Sequence, residues 1–153
     1  MTALFTLLPE AVAIVPAGSK PEILELLAGT FAKVYGLDHE DVRGGLRDRE
    51  DLGSTGFGRG VAIPHARLGS VGRPLAAFLK LQSPVDFDAA DGMPVDLVFG
   101  LLSPEAAGST HLHALAAISR MMRDEHMHQM LTQATEPEAL FGVLCNVIDR
   151  DAA

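Results

Sequence analysis

Only one cysteine, Cys145, occurs in the chain, so no disulfide can form within it. No apolar run approaches the roughly 18 residues that a membrane helix needs, which excludes direct membrane insertion by a helix. Met1 to Pro9 lacks the basic flank and cleavage site of a signal peptide, and a cytoplasmic protein is expected. Positive charge is in the minority: 12 Lys and Arg stand against 20 Asp and Glu, a net charge of -8. General affinity for nucleic acid or for acidic membranes is therefore excluded. No internal repeat, linker or low-complexity stretch breaks the sequence.

What is present is the material of one compact domain. Residues 1–153 are read as a single unit, large enough to bury a core without disulfides or metal. Ser19-Lys20-Pro21-Glu22 is a capping box with a first-turn proline, and Ile23, Leu27, Phe31 and Val34 follow at helical spacing. The spacing predicts a helix over 20–35 that Gly36 stops. Asp38 then caps a second helix, with Val42, Leu46 and Arg49 along one face and Gly44 and Gly45 weakening it. Val61 to Ile63, Leu75 to Leu81 and Val95 to Leu102 read as strands, the last with the unbroken apolar character of a central strand. Pro84 to Phe87 reads as a further short strand, and Asp91-Gly92 as a turn.

Three helices are expected after Pro104. Ser109 or Thr110 caps the first, which carries Leu112, Leu115, Ala116, Ser119 and Met122. A shorter one carries Met127, Met130 and Leu131. Thr135-Glu136-Pro137-Glu138 opens the last, with Leu140, Val143, Leu144, Val147 and Ile148 inward and Cys145 buried on the same stripe. The fold class is α/β, a sheet with helices on both faces. Met121, Met122, Met127 and Met130 suit either a core or an exposed docking face.

The chemistry concentrates in Arg49-Glu50-Asp51-Leu52-Gly53-Ser54-Thr55-Gly56-Phe57-Gly58-Arg59-Gly60-Val61-Ala62-Ile63-Pro64-His65. Four glycines leave loop N–H groups open to an anion, or serve only as positive-φ turn residues; spacing alone leaves both readings standing. No Gly-Lys-Ser/Thr follows, the dinucleotide fingerprint is incomplete, and the loop precedes a strand, so ATP and NAD are excluded as ligands. Pro64 fixes its own φ and extends Ile63, presenting His65 from a stiff stem. A neutral imidazole is a good nucleophile near pH 7. A phosphoryl group on His65 fits this arrangement. Arg43, Arg47, Arg49, Arg59, Arg67 and Arg73 cluster around it, as a site for an anion would require. His111 and His113 sit in the first turn of a helix, where unpaired N–H groups attract phosphate. Two residues apart on a helix, they point in nearly opposite directions, and the stripe shared with Leu115, Ile118 and Met122 selects His111 for the site.

Arg49-Glu50-x-x-Gly53-Ser54-Thr55-Gly56-x-Gly58-x-Gly60-x-Ala62-Ile63-Pro64-His65 resembles the signature of the fructose/mannitol and nitrogen-regulatory class of enzyme IIA of the bacterial phosphoenolpyruvate-dependent phosphotransferase system. Leu8-Pro9-Glu10, Ser19-Lys20, Pro94 to Phe99 and Thr110-His111-Leu112-His113-x-Leu115 resemble further segments in order. The resemblance implies a mixed, about five-stranded sheet flanked by helices, with no metal or nucleotide cofactor. It implies that His65 accepts phosphate on Nε2 from a histidine-containing phosphocarrier protein, with His111 as second active-site histidine and Arg49 beside the phosphoryl group. Ser54 and Thr55 are added as phosphoryl-binding residues through loop N–H groups. The Thr110 to His113 run and the Leu-Pro-Glu opening lean to the nitrogen-regulatory branch, whose partners include potassium transport components and sensor kinases. Ala66-Arg67 departs from the Gly-Lys common in the family. A free-standing fructose/mannitol-type component serving a sugar permease domain stays open as an alternative. So do two readings of another class: a metal site of His111, His113, His126 and His128, whose His-x-His spacing suits a strand better than a helix, and an adaptor that is never phosphorylated.

Overall fold

In the computed structural model, which describes residues 4–152, a six-stranded mixed sheet lies between two layers of helices. A single 3-10 turn, Pro9–Ala11, leads into β1 (Val12–Val15), then α1 (Lys20–Tyr35), α2 (His39–Asp51), β2 (Gly56–Gly58), β3 (Val61–Ala62), β4 (His65–Leu68), β5 (Leu75–Val85), β6 (Val95–Pro104), α3 (Ser109–Arg123), α4 (Glu125–Gln133) and α5 (Pro137–Ala152). The sheet order is β1-β5-β6-β3-β2, with β4 also on β6. β1 runs parallel to β5, β5 antiparallel to β6, and β3 and β4 both parallel to β6.

The sixth strand has a simple cause. β3 and β4 lie end to end along one side of β6, Val61 and Ala62 opposite Leu97 and Val98, and His65 to Leu68 opposite Leu101 to Pro104. Pro64 interrupts them because it has no N–H for the ladder, yet its carbonyl still accepts from Leu101 N–H at 3.0 Å. The expected five strands are therefore these six with one broken at a proline. Pro84 is also inside a strand: β5 runs on through it to Val85 rather than ending at Leu81, so no separate strand forms at 84–87.

Period-2 alternation on the central strands divides the core in two. Ala77 and Leu79 of β5 with Val98 and Leu102 of β6 meet Ile23, Leu27, Phe31, Val42 and Leu46 of α1 and α2. Ala76 and Phe78 with Leu97, Phe99 and Leu101 meet the α3, α4 and α5 layer through Ala114, Ile118, Met122, Met127, Leu131, Leu140 and Leu144. Gly100 has no Cβ because Leu27 occupies that space at 2.8–3.1 Å.

Caps set the helix ends. Ser19 accepts from Glu22 N–H at 3.3 Å, Asp38 from Asp41 N–H at 3.0 Å and Asp124 from Met127 N–H at 2.9 Å. Gly36, at φ 70°, closes α1 in the left-handed conformation. The first helix after Pro104 departs from expectation: its N-cap is Gly108 at φ 57°, with no side chain from Ser109 or Thr110 capping it. Its inward face is His111, Ala114, Ile118, Met121 and Met122, while Leu112 and Ala116 are exposed, so the predicted face was rotated by about one residue. Met121, Met122 and Met127 are core. Cys145 is half-buried rather than buried, and the side chains of Val147 and Ile148 lie outside the described ones. Among the described residues no helix is long and apolar enough to cross a membrane.

Candidate phosphoryl-transfer site

β4 pairs only with β6, so its outer side is a sheet edge flanked by α2 from one helical layer and α3 from the other. An open groove runs over that edge. His65, Arg67, Arg49 and His111 line it, with Leu52 and Leu112 on its rim, 85% and 58% exposed. Ala66 and Leu68 pack toward α2, so alternation sends His65 and Arg67 to the opposite face, toward α3.

The half-buried imidazole of His65 has one fixed nitrogen. Nδ1 lies 2.7 Å from the carbonyl of Ile63, reaching back across Pro64. A carbonyl only accepts, so Nδ1 carries the proton of the neutral ring and Nε2 keeps its lone pair. Burial is the chief cause that lowers the pKa of His65 below 6.5; the Ile63 bond opposes it, while the charges of Arg49 and Arg67 press in the same direction as burial. The ring is therefore neutral at pH 7.

His111 stands with its ring centroid 5.5 Å from that of His65, the planes inclined by 48°. It is 4% exposed, and Nδ1 lies 2.6 Å from the hydroxyl of fully buried Ser103 on β6. Burial first, then the neighbouring His65 and Arg67, push its pKa down to about 4. His113 is exposed.

Arg49 occupies the last turn of α2, where its guanidinium donates to Gly53 carbonyl at 2.8 Å and tightens the exit from the helix. Glu50, not Arg49, completes the inward stripe of Val42 and Leu46. Its buried carboxylate accepts from Thr55 N–H at 2.8 Å and Thr55 Oγ1 at 2.5 Å, and pairs with Lys20 Nζ at 2.8 Å. Ser54 Oγ donates to Phe87 carbonyl at 2.7 Å and accepts from Gly56 N–H at 3.0 Å. Neither Ser54 nor Thr55 lines the groove, and the N–H groups of Thr55 and Gly56 are occupied rather than open to an anion. The glycines serve a hairpin: β2 pairs with β3 across Arg59-Gly60, whose φ angles of 59° and 83° give the positive pair that a two-residue hairpin turn needs. Gly56 also lacks room for a side chain, since a Cβ would sit 2.6 Å from Ala89 Cα.

Of the clustered arginines, Arg49 and Arg67 reach the groove, while Arg43 pairs with Glu40 and Arg59 with Glu125. In the sequence Arg67 stands only as one of six clustered arginines; its place two residues after His65 on a strand is the signal that singles it out. Its guanidinium also approaches the Gly108 carbonyl at 3.5 Å. Ser103 gave no signal beyond being polar at the end of an apolar run. The four histidines of the metal reading are scattered: His111 bonds Ser103, His128 bonds the Arg59 carbonyl, and His113 and His126 are exposed. Among the described residues no group of three or more His, Cys, Asp or Glu is placed to hold a metal ion.

Comparison with known proteins gives a consistent picture. The family described as "Phosphoenolpyruvate-dependent sugar phosphotransferase system, EIIA 2" matches residues 7–147. The nitrogen regulatory protein of Pseudomonas aeruginosa is 46% identical over 134 residues, which is 87% of either chain. That of Bradyrhizobium diazoefficiens is 43% identical over 139 residues, 89% of this chain and 90% of its own. The structure of nitrogen regulatory protein IIA-Ntr from Neisseria meningitidis superposes with a TM-score of 0.84 at 36% identity, covering 90% of this chain and 95% of that one.

Proposed function

The chain belongs to the EIIA type 2 family of the phosphoenolpyruvate-dependent phosphotransferase system, a family of phosphoryl-transfer components, and from that membership we propose that it carries a phosphoryl group on Nε2 of His65. The observation that supports this most directly is the Nδ1 bond to Ile63, which leaves Nε2 as the nucleophilic nitrogen of a neutral ring in a groove with two guanidinium groups and a second histidine. The donor is a histidine-containing phosphocarrier protein. Its N–P bond breaks and leaves the electron pair on the donor ring, while the Nε2 lone pair of His65 forms the new N–P bond. The proton stays on Nδ1, hydrogen-bonded to the Ile63 carbonyl, so no base is needed.

In a loose transition state the charge rests on the equatorial oxygens, and the protein's task is to meet it. Arg49 and Arg67, which line the groove with His65, supply donor forks, and His111 supplies one N–H. Ser54 and Thr55, expected at the phosphoryl group, act instead through the loop: with Glu50 they hold the turn that carries Arg49.

Residues 1–153 form one such unit, working in the cytoplasm. The two nitrogen regulatory relatives, at 46% and 43% identity, favour a regulatory output over sugar transfer. Phosphorylation then governs docking to target proteins, potassium transport components or sensor kinases among them. The test is incubation with phosphoenolpyruvate and the two upstream phosphotransferase proteins, followed by intact mass. The native chain gains one phosphoryl group, His65→Ala gains none, and His111→Ala gains it on the order of a hundredfold more slowly. Label retained by His65→Ala overturns the assignment.

A further inference from the structure

Ser103 is the one buried polar residue of β6 whose side chain touches the site without lining it. It is 0% exposed, and its register partner on β4 is Arg67. Its hydroxyl has one hydrogen-bond partner among the described residues, His111 Nδ1 at 2.6 Å.

Counting donors decides which way that bond runs. If Nδ1 were protonated it would donate to the serine oxygen, and the serine O–H would be left in the interior with no acceptor. An orphaned buried donor is costly, whereas a hydroxyl that donates to a bare Nδ1 is satisfied. The neutral ring therefore carries its proton on Nε2, the nitrogen on the side away from Ser103. Neutrality itself follows from the depressed pKa of about 4, which leaves the ring at pH 7 with a tautomer to choose.

We propose that Ser103 is a positioning residue that locks His111 in its Nε2–H tautomer, so that His111 presents a hydrogen-bond donor to the groove beside His65. The two histidines are thereby made complementary by their anchors. A carbonyl at Nδ1 of His65 makes its Nε2 a lone pair, and a hydroxyl at Nδ1 of His111 makes its Nε2 a donor. The functional consequence rests on the reading of His65 as the phosphoryl site; the lock itself does not.

The two are separated by measuring the tautomer in the unphosphorylated full chain, by long-range proton–nitrogen NMR on protein labelled in its histidine rings at neutral pH. The native chain is expected to show Nε2–H at His111, and Ser103→Ala, which removes one buried oxygen, to show both tautomers. Protonated Nδ1 in the native chain, or an unchanged tautomer in Ser103→Ala, overturns the lock. In the transfer assay Ser103→Ala is expected to slow phosphorylation about tenfold, and to have no further effect when His111→Ala is already present. Equal slowing in both backgrounds overturns the route through His111. A native chain that takes no phosphoryl group but shows the tautomers as stated overturns the function and upholds the lock.

Discussion

His65 and His111 stand 5.5 Å apart, and each commits its Nδ1 to a partner of opposite kind: the carbonyl of Ile63 at 2.7 Å for one, the hydroxyl of Ser103 at 2.6 Å for the other. The pairing fixes where a phosphoryl group can attach. Nδ1 of His65 is blocked by its own backbone, so the phosphorylated protein is expected to carry only the Nε2 isomer, as phosphorus–nitrogen NMR of labelled protein would report. A phosphoryl group on Nδ1 would require the Ile63 bond to break and would disprove the geometry as the controlling factor.

Acid should unfold the protein partly through His111. Its native pKa, about 4, lies below the ordinary 6.5, so between those values the unfolded chain binds more protons than the native one. The stability associated with the neutral ring is complete above about pH 6.5, falls as the pH drops toward 4, and is gone below that; its size is on the order of 3 kcal/mol. His65, shifted in the same direction, adds to the slope. Urea midpoints across this window should fall more steeply for the native chain than for His111→Gln, and parallel curves would count against the shift.

Much of this was legible in the order of residues, and the exceptions share a cause. Helices α1 and α2 were readable from Ser19, Asp38 and Gly36 because capping is local chemistry. The loop before His65 is undecided in the sequence because glycine serves a hairpin turn and an anion cradle equally well; only pairing with β3, itself placed by β6, decides between them. Arg49 and Glu50 were identified together, but which one faces inward depends on where α2 lies against β4. Ser103 could not be found without the fold, since its meaning comes from a histidine on the next element.

Behind Arg49, the carboxylate of Glu50 is held by Thr55 and Lys20, so Glu50→Gln removes a buried charge from a satisfied set and leaves the Lys20 ammonium with only the exposed Asp88 carboxylate, at 3.7 Å. A loss of about 3 kcal/mol is expected. Thr55→Val, which deletes one hydroxyl bond, should cost about 1–2 kcal/mol. Leu52→Ala, at a side chain 85% exposed on the same turn, should stay within about 0.5 kcal/mol. Denaturant titration checks the ranking. If Glu50→Gln matched Leu52→Ala, the network would contribute nothing to the turn that holds Arg49.

Gly44 and Gly45 occupy neighbouring positions in α2 and should respond oppositely to alanine. In a helix interior alanine is favoured over glycine by about 1 kcal/mol, so a glycine that persists there either has no packing role or a specific one. A Cβ at Gly44 meets nothing within 4 Å, and Gly44→Ala should raise stability by about that amount. A Cβ at Gly45 would lie 2.7 Å from Leu68 Cδ2 and 3.4 Å from Ala66 Cβ, both on β4. Gly45 is thus a point of close approach between the helix bearing Arg49 and the strand bearing His65. Gly45→Ala must displace Leu68 or push α2 outward, so its propensity gain should be cancelled and phosphoryl transfer should slow. Equal stabilisation by both alanines, with transfer unchanged, would show that close approach of α2 to β4 is not what brings the guanidinium to the imidazole.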